Sequence, residues 1–124
     1  MHICTYLHIL CVNITPKVHT MNYDEAEIKV GIIKAMAHPV RLMIIDELSR
    51  GDKCVCELLP MFKLDQSTLS RHMSQLKKSG IITEKKEGVR VIHHLATPCI
   101  LQVFGCVMNV AKDDFNRKRK TLKI

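Results

Sequence analysis

Two cysteines one residue apart, Cys54-Val55-Cys56, stand just upstream of the polar run Leu64-Asp65-Gln66-Ser67-Thr68-Leu69-Ser70-Arg71-His72-Met73. Paired thiolates select soft ions such as arsenite, antimonite, cadmium, lead or zinc. Gln pairs bidentately with adenine and Arg with guanine, while small hydroxyl side chains allow close approach and bond phosphates. One short region therefore carries the chemistry of an ion sensor beside that of a DNA reader. Side chains two apart in a regular helix point about 200° apart. Two sulfurs on one ion lie at most about 4.6 Å apart, twice a zinc–sulfur bond. Chelation by Cys54 and Cys56 is thus expected to distort the start of any helix that holds both, and a helix N-terminus beneath them would favour the thiolate.

The other thiols are Cys4, Cys11, Cys99 and Cys106. Cys99 and Cys106 are seven residues apart, which on a straight helix is one face but about 10 Å along the axis. They cannot both bind one ion, and a packing role as small buried hydrophobes competes with ligation. His93 and His94 alternate on a strand, so one faces a core and the other solvent. Met36, Met43, Met73 and Met108 sit on apolar stripes and are expected in the core.

These residues need elements to position them. From Asp24 to Ala37 the apolar positions Ile28, Ile32, Ala35 and Met36 recur at helical spacing. His38-Pro39 ends that helix, and Pro39 suits the first turn of the next, which runs to about Arg50 before Gly51-Asp52. A short third helix is expected from Cys54 to about Phe62. Asp65 is placed to cap a fourth, buried along Leu69, Met73 and Leu76 and closed by Gly80. The period then changes to alternation over Ile82–Lys86 and Val89–Leu95 around Glu87-Gly88, a β-hairpin. A last helix from Cys99 to about Phe115 is apolar on most of its circumference, which calls for a partner subunit. Residues 1–20 carry one Lys and no Asp, Glu or Arg and are expected outside the fold. The domain then spans 21–115, with 116–124 a solvated, frayed basic tail.

The order predicts a mainly α fold of about five helices with a two-stranded wing, a winged helix-turn-helix. Its second helix enters the major groove by its N-terminal residues. The expected DNA contacts are Gln66, Ser67, Thr68, Ser70, Arg71 and His72, with Lys85, Lys86 and Arg90 of the hairpin tracking the backbone. Over 124 residues the net charge is +7, which favours a polyanionic partner, nucleic acid before membrane. Six cysteines with no secretory signal favour a reducing cytoplasm over a disulfide scaffold. No apolar run reaches the roughly 20 residues of a membrane span. No nucleophile–base pair, phosphate-binding Gly loop or paired catalytic carboxylates support an enzyme. A structural DNA-coating protein remains open on charge alone.

Ala37-His38-Pro39-Val40-Arg41-Leu42, Cys54-Val55-Cys56-Glu57-Leu58, Gln66 to Met73 and Leu76-Lys77-Lys78-Ser79-Gly80-Ile81-Ile82 resemble the ArsR/SmtB family of metal-responsive repressors, over roughly Asp24 to Phe115. The resemblance implies a homodimer built on the first and last helices that represses transcription when empty and leaves its operator DNA on binding an effector. No permanent cofactor is implied, only an effector ion of the arsenite, cadmium, lead or zinc class. Cys54 and Cys56 are similar to the Cys-Val-Cys box of arsenite and cadmium sensors. Leu59 stands where arsenite sensors commonly carry a third Cys. Cys11, as in members that recruit a partner's N-terminal Cys, or Cys99 or Cys106 on the last helix, is then the candidate third ligand. The zinc-type pattern of Asp and His on the last helix is unmatched, since Asp113 and Asp114 have no His there. The alternative on the same scaffold is a thiol-redox or persulfide sensor using two of Cys54, Cys56, Cys99 and Cys106.

Overall fold

The computed structural model describes residues 20–122; the expectations for Cys4 and Cys11 lie outside the described residues. Asn22 caps the first helix, its side chain accepting from the Glu25 amide at 2.9 Å. That helix, α1, spans Tyr23–Met36, and α2 spans Pro39–Ser49. The join between them is built by the Ala37-to-Leu42 stretch. His38 caps α2 through Nδ1, which accepts from the Val40 amide at 3.1 Å. Arg41 reaches back and donates to the Ala35 carbonyl at 2.8 Å, satisfying an orphan carbonyl at the end of α1.

Next come β1 (Lys53–Cys54), α3 (Val55–Leu58) and a 3-10 turn at Leu59–Met61. Helix α4 (Gln66–Lys78) follows, then β2 (Ile82–Glu87) and β3 (Arg90–Leu95). The close of α4 shows why Gly80 is needed. Its φ is +80°, its amide bonds the Lys77 carbonyl and the Ile81 amide bonds the Leu76 carbonyl. This is a Schellman cap, with buried Leu76 and Ile81 as its apolar pair. It turns the chain from the reading helix straight into the wing.

The sheet is three-stranded and antiparallel, in the order β1-β3-β2. Strand β1 is absent from the sequence reading, because two residues carry no periodicity. The hairpin turn also falls one residue later than expected, at Gly88-Val89, with Gly88 at φ +63°. The pairings Ile82↔Leu95, Glu84↔His93 and Lys86↔Val91 put these six residues on one face. That face is toward α4, and Ile82, His93 and Leu95 are buried there. Lys85, Arg90, Ile92 and His94 occupy the other face, which Cys54 joins by pairing with Ile92. Ile44, Ile45 and Leu48 of α2, Leu58 of α3, and Leu69, Met73 and Leu76 of α4 complete the core.

The chain divides after Pro98. The described residues beyond it form α5, Ile100–Thr121, with none of its residues buried. The helix continues past Phe115 through residues expected to fray. Asp114 bonds Lys118 one turn on at 2.7 Å, and Lys118, Arg119 and Lys120 sit at the negative end of the helix dipole. Two of the four core methionines expected are in the core, Met36 and Met73. Met43 and Met108 are more than half exposed.

Candidate nucleic-acid interface and thiol site

The front of α4 is held by Asp65. Its carboxylate accepts from the Thr68 amide at 3.3 Å and the Thr68 hydroxyl at 2.6 Å, and it also bonds the Ser67 hydroxyl. These hydroxyl donors hold the Asp65 pKa down to about 2, so the cap stays ionised at any working pH. Ser67 and Thr68, expected to touch DNA, thus donate their hydroxyl protons inside the chain. Gln66, Ser70 and Arg71 are exposed at the same end of the helix, opposite the buried Leu69, Met73 and Leu76.

His72 sits differently from the other expected contacts. It is half-buried, stacked on His38 with ring centroids 4.4 Å apart, and within 3.4 Å of the Arg41 Nε donor. Burial first, and then the neighbouring His38 and Arg41 charges, depress its pKa. There it packs α4 against the start of α2, beside His38 and Arg41. On the wing, Lys85 and Lys86 are both exposed but on opposite faces of the hairpin. Lys86 shares the α4 face, and an ion pair from Lys77 to Glu84 ties β2 to the reading helix.

A recess of about 340 Å³ with a mixed lining lies between α4 and the wing, with Ser70, Ser74, Lys77, Glu84 and His93 beside Val55, Met73 and Val91. His93 is 5% exposed and its Nδ1 has no hydrogen-bond partner among the described residues. Burial lowers its pKa more than the facing Glu84 raises it. His94 points outward to Asp52 at 2.7 Å, so the strand splits its two histidines as alternation requires. Because His72 and His93 favour the neutral form, the unfolded chain takes up protons first as pH falls below the ordinary 6.5. Stability is full above that pH and is lost progressively below it. Thermal unfolding should therefore show Tm falling between about pH 7 and pH 5, with His93→Asn flattening the slope. An unchanged slope in that variant would remove His93 from the account.

The thiols converge, and the backbone explains how. Cys54 is not helical: it ends β1 at φ −85°, ψ 165° and serves as the N-cap of α3, whereas Cys56 lies within α3. A strand-to-helix corner removes the opposition that a regular helix would impose. Cys54 and Cys56 are disulfide-bonded, with Cα atoms 5.2 Å apart. At four residues α3 brings little helix dipole to these sulfurs. The positive charge comes from the wing instead. Arg90 Nη2 donates to Cys54 Sγ at 3.2 Å and Cys56 Sγ at 3.8 Å, and to Glu57 Oε1 at 2.7 Å. Arg90, expected on the DNA backbone, is placed on the face away from α4 and against the thiol box. The β1–β3 register accounts for this: Lys53 pairs with His93 and Cys54 with Ile92, so continuing it brings position 56 opposite Arg90. The signal legible in sequence was the parity of Arg90 along its strand, once β1 is known.

Cys99 and Cys106 are free and exposed in the single chain. Among the described residues no helix is long and apolar enough to cross a membrane.

Residues 38–84, which hold this reader and the thiol box, match the model of the arsR family of bacterial regulatory proteins. The arsenical resistance operon repressor of Staphylococcus xylosus is 39% identical over 75 residues, 60% of this chain and 69% of that protein. Among solved structures, Rv0081 of M. tuberculosis superposes with a TM-score of 0.65 at 26% identity, over 75% of this chain and 94% of that one. NolR from Sinorhizobium fredii gives 0.64 at 28% identity, over 77% and 92%. A winged helix-turn-helix with an Asp-capped reading helix, joined to these likenesses, places the chain: it belongs to the arsR family of bacterial regulatory proteins and is a DNA-binding transcriptional regulator, not an enzyme.

Proposed function

We propose that the protein is a homodimeric, cytoplasmic repressor that binds operator DNA sequence-specifically and releases it when Cys54 and Cys56 take up a metal(loid) such as arsenite or cadmium. The observation that carries this reading is the convergence of the two sulfurs at the strand-to-helix corner, on the strand that pairs with the wing. Soft sulfur donors suit soft ions, and the S. xylosus relative is named for arsenical resistance. Among the described residues no three potential ligands are grouped to hold a metal ion. A thiol reductant must first open the pair: the disulfide and two thiols give Cys54 and Cys56 as thiols and one new disulfide.

The disulfide supports a second reading, redox or persulfide control of the same repressor. Peroxide would join the two thiols with release of two waters, and a thiol reductant would reverse it. The deciding experiment follows operator binding by reduced protein during titration with arsenite, cadmium or zinc, and separately with peroxide. Stoichiometric release by an ion supports the first reading. Release by peroxide alone, with loss of two titratable thiols, supports the second.

The DNA contacts divide by position. Arg71→Ala should weaken operator binding and blur base preference by about 1–3 kcal/mol. Lys86→Ala should weaken binding to operator and scrambled DNA alike and reduce the salt slope. Equal losses on both DNAs for Arg71→Ala would move it from the reading face to the backbone.

A further inference from the structure

We propose that the recess between α4 and the wing seats one backbone phosphate of the bound DNA, and that Lys77 exchanges Glu84 for that phosphate while His93 takes up a proton. The proposal rests on the reading of α4 as the helix that enters the major groove. One sugar–phosphate strand separates the major groove from the minor, so a helix in the groove has such a strand along its flank. The wing stands beside α4, and the recess of about 340 Å³ lies between them, where that strand must pass. Ser70, Ser74 and Lys77 line it at helical spacing, about 100° round α4 from the buried stripe of Leu69, Met73 and Leu76. Two hydroxyls and an ammonium are donors that suit phosphate oxygens. The apolar part of the lining, Val55 and Val91 among it, suits the carbons of the adjoining deoxyribose.

In the single chain Lys77 is held by Glu84, in an ion pair whose side chains are 51% and 35% exposed. Water screens such a pair, so Lys77 can leave it for a phosphate. Glu84 is the partner of His93 in the β2–β3 register, on the face toward α4. His93 is 5% exposed, and its Nδ1 has no hydrogen-bond partner among the described residues. Burial and, less strongly, Lys77 favour its neutral form, while Glu84 opposes them. Once Lys77 turns to a phosphate, the cation that disfavours a charge on His93 is gone and Glu84 has lost its counter-ion. A proton on His93 supplies a new one across the strand pair, and gives the unpartnered Nδ1 a carboxylate to donate to. The other charged groups near this ring are few. Lys53 is its register partner on β1, Asp46 and Glu47 of α2 are paired with Arg50, and Glu57 of α3 is paired with Arg90.

The exchange makes DNA binding proton-linked. The bound state holds more protons than the free one, so the complex tightens as pH falls. The fold responds in the opposite sense, since a buried neutral histidine is a loss to the folded chain at low pH. One imidazole thus weakens the protein and strengthens its hold on DNA over the same range.

The test uses the full-length protein and a duplex that it selects from random sequence. Backbone phosphates are replaced one at a time by neutral methylphosphonates. One position in each half-site should lower wild-type affinity about tenfold and have no effect in Lys77→Gln. That variant should also lose about 0.9 per subunit from the salt slope. Between about pH 7.5 and pH 6 the wild type should take up about one proton per subunit on binding. Glu84→Gln and His93→Asn should each remove that uptake, and Glu84→Gln should bind more tightly at neutral pH because Lys77 is already released. Glu87→Gln at the wing tip should leave proton uptake as it is. Should His93→Asn fail to fold, Glu84→Gln, at an exposed position, decides the proton. A methylphosphonate profile that Lys77→Gln leaves unchanged overturns the phosphate seat. Proton uptake that persists in Glu84→Gln overturns the exchange. A wild type that selects no duplex overturns the reading of α4 itself.

Discussion

Val107→Asp should convert the protein to a monomer and reduce specific operator affinity by about 10³-fold or more, to the level of non-specific binding. Val103, Val107 and Val110 repeat at helical spacing on α5 and are each about half exposed or more. A 22-residue helix with such a stripe and no buried residue leaves its apolar area in water unless a second copy covers it. Helix α1 presents Ile28, Val30, Ile32 and Ile33 to solvent in the same way. Because Val107 is already exposed in one chain, an aspartate there costs the single chain little. The loss would come from the dimer, whose two readers must span half-sites one helical turn apart. Light scattering and footprinting check it together. A wild-type monomer at micromolar concentration, or a Val107→Asp dimer that still binds, would defeat it.

The reading helix was legible because its signals are local and redundant. Asp65 caps it, Leu69, Met73 and Leu76 repeat at 3.6, and Gly80 sits where only a positive φ closes the turn. The hairpin was legible to within one residue, since alternation marks strands better than it marks the two residues between them. What escaped was whatever depends on pairing across the chain. Strand β1 exists because Lys53 and Cys54 meet His93 and Ile92, 38 to 40 positions away in sequence. Nothing in two residues announces that partner.

The same non-local pairing decides the candidate site. Taken alone, Arg90 is a basic residue near a wing tip and reads as a phosphate contact. The register with β1 puts it at the thiols, and the parity of β3 turns it from the reader. His72 carries the complementary lesson. It follows Arg71 on the helix and reads as a DNA contact, yet a step of about 100° carries it round to His38 and Arg41. Ser67 and Thr68 read as DNA contacts by position, but the Asp65 carboxylate two and three residues back already accepts their hydroxyl hydrogen bonds.

Cys54→Ser and Cys56→Ser should each leave operator binding intact and abolish release by arsenite or cadmium, giving a repressor that is always on. Neither sulfur belongs to the reading face of α4, and the thiols are needed only in the ion-bound state. Cys56 is exposed, so its substitution leaves packing unchanged; Cys54 is buried, and serine is the near-isosteric choice that keeps its N-cap role. Reciprocity sets the scale: an ion that weakens DNA binding by a given factor binds free protein more tightly by the same factor, a coupling of about 1–3 kcal/mol. In either variant that coupling should fall to zero while the DNA term remains. Cys99→Ser and Cys106→Ser separate the remaining arrangements. Loss of the response in Cys106→Ser puts the third ligand on α5 and in Cys99→Ser at its N-cap, as the exposure of both thiols allows. A full response in both leaves the ligand set to residues near the box or to Cys11. The measurement is operator anisotropy against free ion for the four variants side by side. A double Cys54→Ser, Cys56→Ser variant that still leaves DNA at the wild-type ion concentration would end the case for this pair as sensor, in its metal and its redox form alike.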